Sequence, residues 1–207
     1  MVHTVLQGDH ISSIAHRYRF ADYRTIWNYG DNASLRQDRD NPNVLLPGDL
    51  VAIPDRLDRK EVRSTGAVHS FVTTARRLKL RIRIKDSDDK PDKSTGCVLS
   101  VRGIVFKLTT DDEGKIEQVI PRDAHDGMLT VNDIEIPLKI GDLDPVEKVT
   151  GQKARLNNLG YRAGPLDEDN PEQFRSAVEE FQCDQGMKVT GNCDSGTRAR
   201  LKKVHGC

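Results

Sequence analysis

From Arg77 to Asp86 the chain reads RLKLRIRIKD. Leu78, Leu80, Ile82 and Ile84 alternate with Lys79, Arg81, Arg83 and Lys85. A period of two puts the apolar residues on one face of an extended strand and the cations on the other. This segment therefore belongs to a sheet with one wet face, and not to a helix. The same rhythm returns at Ile134, Ile136, Leu138 and Ile140. Between them, CVLSVRGIVFKLTT reads as one strand interrupted at Gly103 or as two strands. DDEGK is a turn with Gly114 at its tight position, and Asn132-Asp133 separates two runs as a hairpin turn does. Short strands with regular turns predict a small antiparallel β-sandwich over residues 76–143.

The flanks follow a different period. Near the start, HTVLQ reads as a short strand ending at Gly8-Asp9. Ile11, Ile14, Ala15 and Tyr18 then form the stripe of an amphipathic helix, with Asp9 placed to cap it. Asp22 is placed to cap a second helix carrying Ile26 and Trp27. A polar run, YGDNASLRQDRDNPN, leads to VLLPGDLVAIP, a second short strand. The expected order over residues 2–54 is strand, helix, helix, strand. Residues 55–75 are charged, rich in small residues, and read as a linker. From 145 to 207 three helices are expected. Leu156 and Leu159 mark the first, which stops at Gly160. Asn170 caps the second, with Pro171 at its first turn and Gln173 reaching back. Phe174, Ala177, Val178 and Phe181 form its stripe. Asp194 caps the third, which carries Leu201 and Val204. The fold class is multidomain α+β.

The totals exclude several functions. Lys+Arg and Asp+Glu are both 32, so net charge gives no footprint for nucleic acid or an anionic membrane. No apolar run approaches the ~20 residues of a membrane span. The first residues lack a basic stretch followed by an apolar one, so synthesis in the cytoplasm without a signal peptide is expected. Cys97, Cys183, Cys193 and Cys207 contain no CxxC pair, and the histidines are scattered, so no metal or cofactor is expected. Cys183 and Cys193 are close in sequence and are candidates for a disulfide in an oxidising space, with free thiols as the alternative. Asp111, Asp112 and Glu113 sit beside Gly114, where a solvated turn is the simpler reading than an acid/base pair. No catalytic constellation is expected.

HTVLQGDHISSIAHRY and NPNVLLPGDLVAIP together resemble a LysM module, a βααβ unit that binds N-acetylglucosamine glycans. His10 stands where that family usually has Thr, and the segment before the last strand is longer than usual. The third stretch contains LNNLGY, AVEEFQ and a Gly-x-x-x-x-Gly run, and resembles the three-helix peptidoglycan-binding module found beside wall hydrolases. The middle stretch is similar to transthyretin-like or carboxypeptidase-regulatory sandwiches. This order of modules resembles proteins of type VI secretion and other contractile injection machines, which implies delivery to the periplasm.

The resemblance implies a glycan groove with Gly8, Asp9, His10 and Ile11 on one wall and Asn43, Val44, Leu45, Leu46 and Pro47 on the other. Ile11 and Leu46 are either sugar contacts or core, and Trp27 is core sooner than a stacking platform. In the third module the matching positions are Tyr161, Asp167 and Gln182. The implied function is non-catalytic peptidoglycan binding through both end modules. The alternative is an adaptor that uses the same modules on a spike, baseplate or effector protein.

Overall fold

A computed structural model describes residues 1–56, 62–70, 77–86, 88 and 90–207. Residues 57–61 and 71–75 of the expected linker, and residues 76, 87 and 89 of the expected sandwich, lie outside the described residues. The chain divides into two compact units: Met1–Asp38 with Pro47–Asp142, and Arg39–Leu46 with Leu143–Cys207. The regions 2–54 and 76–143 thus fall largely in one unit, while residues 39–46 group with the C-terminal helices.

The first unit begins with β1 (Val2–Thr4), α1 (Ile11–Arg17), the one-turn α2 (Arg24–Trp27), a 3-10 turn (Gly30–Asn32), α3 (Ala33–Asp38) and β2 (Leu50–Ala52). β1 and β2 pair antiparallel, with His3 opposite Val51, and both of these side chains face inward. Of the expected stripe, Ile11, Ile14 and Ala15 are fully buried and Tyr18 half-buried, and Ile26 on α2 is fully buried. Each of the larger ones contributes about 1.5–3 kcal/mol relative to exposure. Helix α3 lies inside the run read as merely polar. Its buried Leu35 is its one apolar anchor, too little to show as a period in sequence. Asn32 anchors the approach to it: Nδ2 donates to Ile26 O and Ala52 O (both 2.8 Å), and Oδ1 accepts from Ala52 N–H (2.7 Å).

The same unit continues with β3 (Leu78–Arg83), β4 (Gly96–Val101), β5 (Ile104–Thr109), β6 (Lys115–Ile120), β7 (Asp126–Val131) and β8 (Ile134–Lys139). β3 pairs with β6, and a four-stranded antiparallel sheet runs β5-β4-β7-β8. Leu78, Leu80, Ile82 and Ile84 face a core that includes Leu99, Val101, Ile116, Ile120, Leu129 and Val131. On the wet face, Lys79 and Arg81 (2.6 Å) both donate to Glu117. CVLSVRGIVFKLTT is two strands, because Arg102 and Gly103 both take positive φ (50° and 76°) and close a hairpin. Asn132 and Asp133 do the same (47° and 63°). At the β5–β6 turn, Asp111 Oδ1 accepts from the N–H groups of Glu113 and Lys115 (both 2.8 Å). The Lys115 and Glu113 N–H groups hold the Asp111 carboxyl below the usual carboxylate range, as a turn-builder and not an acid/base partner.

The second unit contains α4 (Val149–Asn158), α5 (Pro171–Asp184) and α6 (Ser195–His205) around Val146, Leu156, Ala163, Ala177, Val178, Phe181 and Leu201. Asn170 Oδ1 accepts from Gln173 N–H (3.1 Å) and Asp194 Oδ1 from Thr197 N–H (2.8 Å), so both expected caps form. The Gln173 side chain meets the Asn170 amide (3.4 Å) where a capping box would have it meet the backbone. Val204 was expected on the inner stripe of α6 but is exposed, so Leu201 alone of that pair is core.

Candidate functional site

The loop between β1 and α1 is closed by Asp9. Its backbone N–H donates to Leu6 O (3.0 Å), and Leu6 N–H donates to the Asp9 carboxylate (3.0 Å). The carboxylate also accepts from the His3 ring (Nε2, 3.0 Å) and from Arg17 Nη2 (3.0 Å). His3 Nδ1 lies 3.2 Å from the Tyr18 hydroxyl. Burial pushes the Asp9 carboxyl up, but the Leu6 N–H, the His3 ring and the Arg17 guanidinium outweigh it and hold the carboxyl below the ordinary range. Asp9 therefore ties β1 to α1 and does not cap the helix. His10 occupies the cap position, with its N–H donating to Ser13 Oγ (3.1 Å). A carboxylate already held by His3, the Leu6 N–H and Arg17 at the far end of α1 is not free to reach the first turn of that helix.

The other residues of the implied groove divide between the units. Gly8, Asp9, His10 and Ile11 are all buried in the first unit, and Ile11 is core. Pro47 is exposed in the first unit, while Asn43, Val44, Leu45 and Leu46 belong to the second. Val44 and Leu45 are buried, and Asn43 and Leu46 half-buried. Trp27 is half-buried on α2.

In the second unit Gln182 is 1% exposed and organises the loop before α6. Its Nε2 donates to Thr190 Oγ1 (3.1 Å), Asn192 O (3.0 Å) and Thr197 Oγ1 (2.9 Å). Its Oε1 accepts from the N–H groups of Thr190 (2.7 Å) and Gly191 (3.0 Å). The amide is fully engaged with its own loop and offers nothing to a ligand. Tyr161 stacks edge-on against Phe181 (centroids 5.4 Å apart) and donates to Asp184 (3.1 Å). Asp167 is exposed in the loop before α5.

Two buried cations carry no sequence signal, because they sit among residues of ordinary helical spacing. Arg155 donates to the carbonyls of Asp144, Gly151 and Cys207 (2.8 Å each). Lys153 donates to the carbonyls of Pro165 (3.1 Å) and Glu168 (2.6 Å), fixing the loop that holds Asp167. Burial, then the Arg155 charge, pushes His205 down to about 4. A cleft of about 360 Å³ lies between the segment before α4 and the start of α6, lined by Val146, Glu147, Ser195, Arg198, Ala199 and Lys202. It presents charges of both signs beside hydroxyl and apolar surface, which suits a ligand with amide, hydroxyl and carboxylate groups. Lys202 is ion-paired with Asp40.

The four cysteines are free thiols. Cys183 is exposed on α5, whereas Cys193 packs against the helical core, where burial pushes its thiol up to about 11. Of the two readings of Cys183 and Cys193, the structure holds the free-thiol one. Among the described residues no group of His, Cys, Asp and Glu is placed to hold a metal ion. No helix among them is long and apolar enough to cross a membrane.

Residues 147–201 match the family model of the peptidoglycan binding domain. The C-terminal helices are therefore similar to a peptidoglycan-binding domain over those residues. The match begins just before α4 and ends within α6, so it contains the Gln182 network and the Tyr161–Phe181 pair. No curated protein and no solved structure matches the chain. The cleft at the start of α6 lies mostly within the matched residues, and the exposed loop around Asp167 lies wholly within them.

Proposed function

We propose that this chain is a non-catalytic peptidoglycan-binding protein that reads the wall through residues 147–201, and the family match over those residues carries the reading. The ligand surface is the cleft at the start of α6, where Arg198 meets a carboxylate of the stem peptide and Ser195 and Glu147 meet amide and hydroxyl groups. The setting is a contractile injection machine, supported by the order of a LysM-like segment, a sandwich-like region and the C-terminal domain. Synthesis in the cytoplasm and delivery to the periplasm by that machine belong to the same proposal. Binding through both ends would raise avidity through effective concentration. The burial of Gly8, Asp9, His10 and Ile11 favours a single reader site instead. That burial also favours the second reading, in which the N-terminal segment serves protein contacts and the chain is an adaptor.

The test is sedimentation of the full chain with purified peptidoglycan sacculi at low and high salt. The chain is expected in the pellet at both. Retention in the supernatant at both overturns the proposal, and co-purification with a spike or baseplate protein then supports the adaptor. Release of soluble muropeptides from the sacculi would overturn its non-catalytic part.

A further inference from the structure

The Gln7–Ile11 loop is covered by the chain's own β region. His125, in the β6–β7 connection, donates from Nδ1 to Gly8 O (3.1 Å). Gln7 Nε2 donates to Asp142 Oδ1 (3.1 Å), just beyond β8. The rings of His10 and His125 meet edge-on with centroids 6.4 Å apart. Gly141 sits over the loop with φ +91°, and a Cβ there would lie 2.4 Å from Gly8 O and 2.9 Å from His10 Cδ2. Only glycine permits this approach, on grounds of both backbone conformation and space. The cover is itself braced, because Ile140 N–H donates to His125 O (2.9 Å). A second tether lies close by: Arg122 Nη1 donates to the carbonyls of Phe20 (3.0 Å) and Ala21 (2.9 Å), just past α1.

A sugar-binding loop must offer backbone N–H and C=O groups to solvent. Here the Gly8 carbonyl is already bonded, Gly141 blocks its approach, and Asp9, His10 and Ile11 are at most 3% exposed. We infer that Gln7–Ile11 is a docking element whose partner is the chain's own β region, built from His125, Gly141 and Asp142, and that this surface is thereby closed to glycan. The inference rests on the peptidoglycan reading only for the ligand it excludes.

Hydrogen exchange on the full chain tests it, in the wild type, in Gly141→Val and in the double variant Arg122→Ala/His125→Ala. The double variant removes the Arg122 and His125 tethers, leaves the Gln7–Asp142 bond and strains no glycine, and so covers the case in which Gly141→Val does not fold. In the wild type the amides of Gly8–Ile11 are expected to be protected, those of Asp9 and His10 by their bonds to Leu6 O and Ser13 Oγ. In either folded variant their exchange rises at least about tenfold, the scale of losing two or three net hydrogen bonds, while β4 and β7 amides stay protected. Unchanged exchange in both variants, or open-loop exchange in the wild type, overturns the inference. A pentamer of N-acetylglucosamine added to the wild type is expected to leave Gln7–Ile11 exchange unaltered, and added protection there overturns the inference as well. Failure of sacculus binding would remove the proposed function and leave these exchange results standing.

Discussion

Asp9 and Gln182 are both motif positions with implied ligand contacts, and both are buried hubs that hold a loop. They differ in how they do it. Asp9 is an ionised hub whose partners are a histidine and a guanidinium, with Arg17 itself about half exposed. Gln182 is a neutral hub whose partners are two hydroxyls, two N–H groups and a carbonyl. An amide has donors and acceptors in one plane and can satisfy both kinds of loop group at once, whereas a carboxylate only accepts. The neutral hub should be stable across pH and costly to remove, while the charged hub should be softer and sensitive to acid.

The largest expected effect is at Gln182. Gln182→Leu keeps the volume but leaves the Thr190 and Gly191 N–H groups without their acceptor, for a loss of about 2–4 kcal/mol. Denaturant unfolding measures it, and a loss under about 0.5 kcal/mol would break the comparison by showing that water replaces the amide. Asp9→Asn is next, with an expected loss of about 1–2 kcal/mol at neutral pH from weakened bonds to His3 and Arg17. The sign of the pH effect follows from the lowered carboxyl. Its stabilisation is complete above the unfolded value of about 4 and is lost as pH falls through the lower folded value. Unfolding followed from neutral pH into acid should therefore show a loss in the wild type that Asp9→Asn lacks, and parallel curves would count against an ionised hub. Tyr161→Phe sharpens the contrast at the small end. It keeps the ring on Phe181 and removes an exposed bond to Asp184, for about 0.5 kcal/mol or less.

Much of the backbone was legible because its causes are local. The alternation of Leu78 to Ile84 names the strand and its buried face. The Asn132-Asp133 hairpin and the caps at Asn170 and Asp194 depend on residues within four positions of one another. Helix α3 was hidden because Leu35 alone anchors it. The likeness of residues 147–201 to a peptidoglycan-binding domain was legible as a pattern of residues, but within it Gln182 and Tyr161, positions the resemblance offers as ligand contacts, are engaged internally. A motif marks a position that the fold uses, and a loop hub and a binding residue leave the same trace in one sequence.

By itself the sequence determined most of the alternation of helical and strand segments, the Asn132-Asp133 turn, the caps at Asn170 and Asp194, and the three C-terminal helices. Each follows from interactions among residues a few positions apart. The tertiary structure alone decided that Asp9 ties β1 to α1 instead of capping the helix, that Arg155 and Lys153 are buried on carbonyls, and that His125 reaches Gly8. The physical reason is that a polar side chain bonds whichever partner folding brings within reach. For Gly8 and Gly141 that partner lies more than a hundred residues away in the chain, where no local rule can point to it.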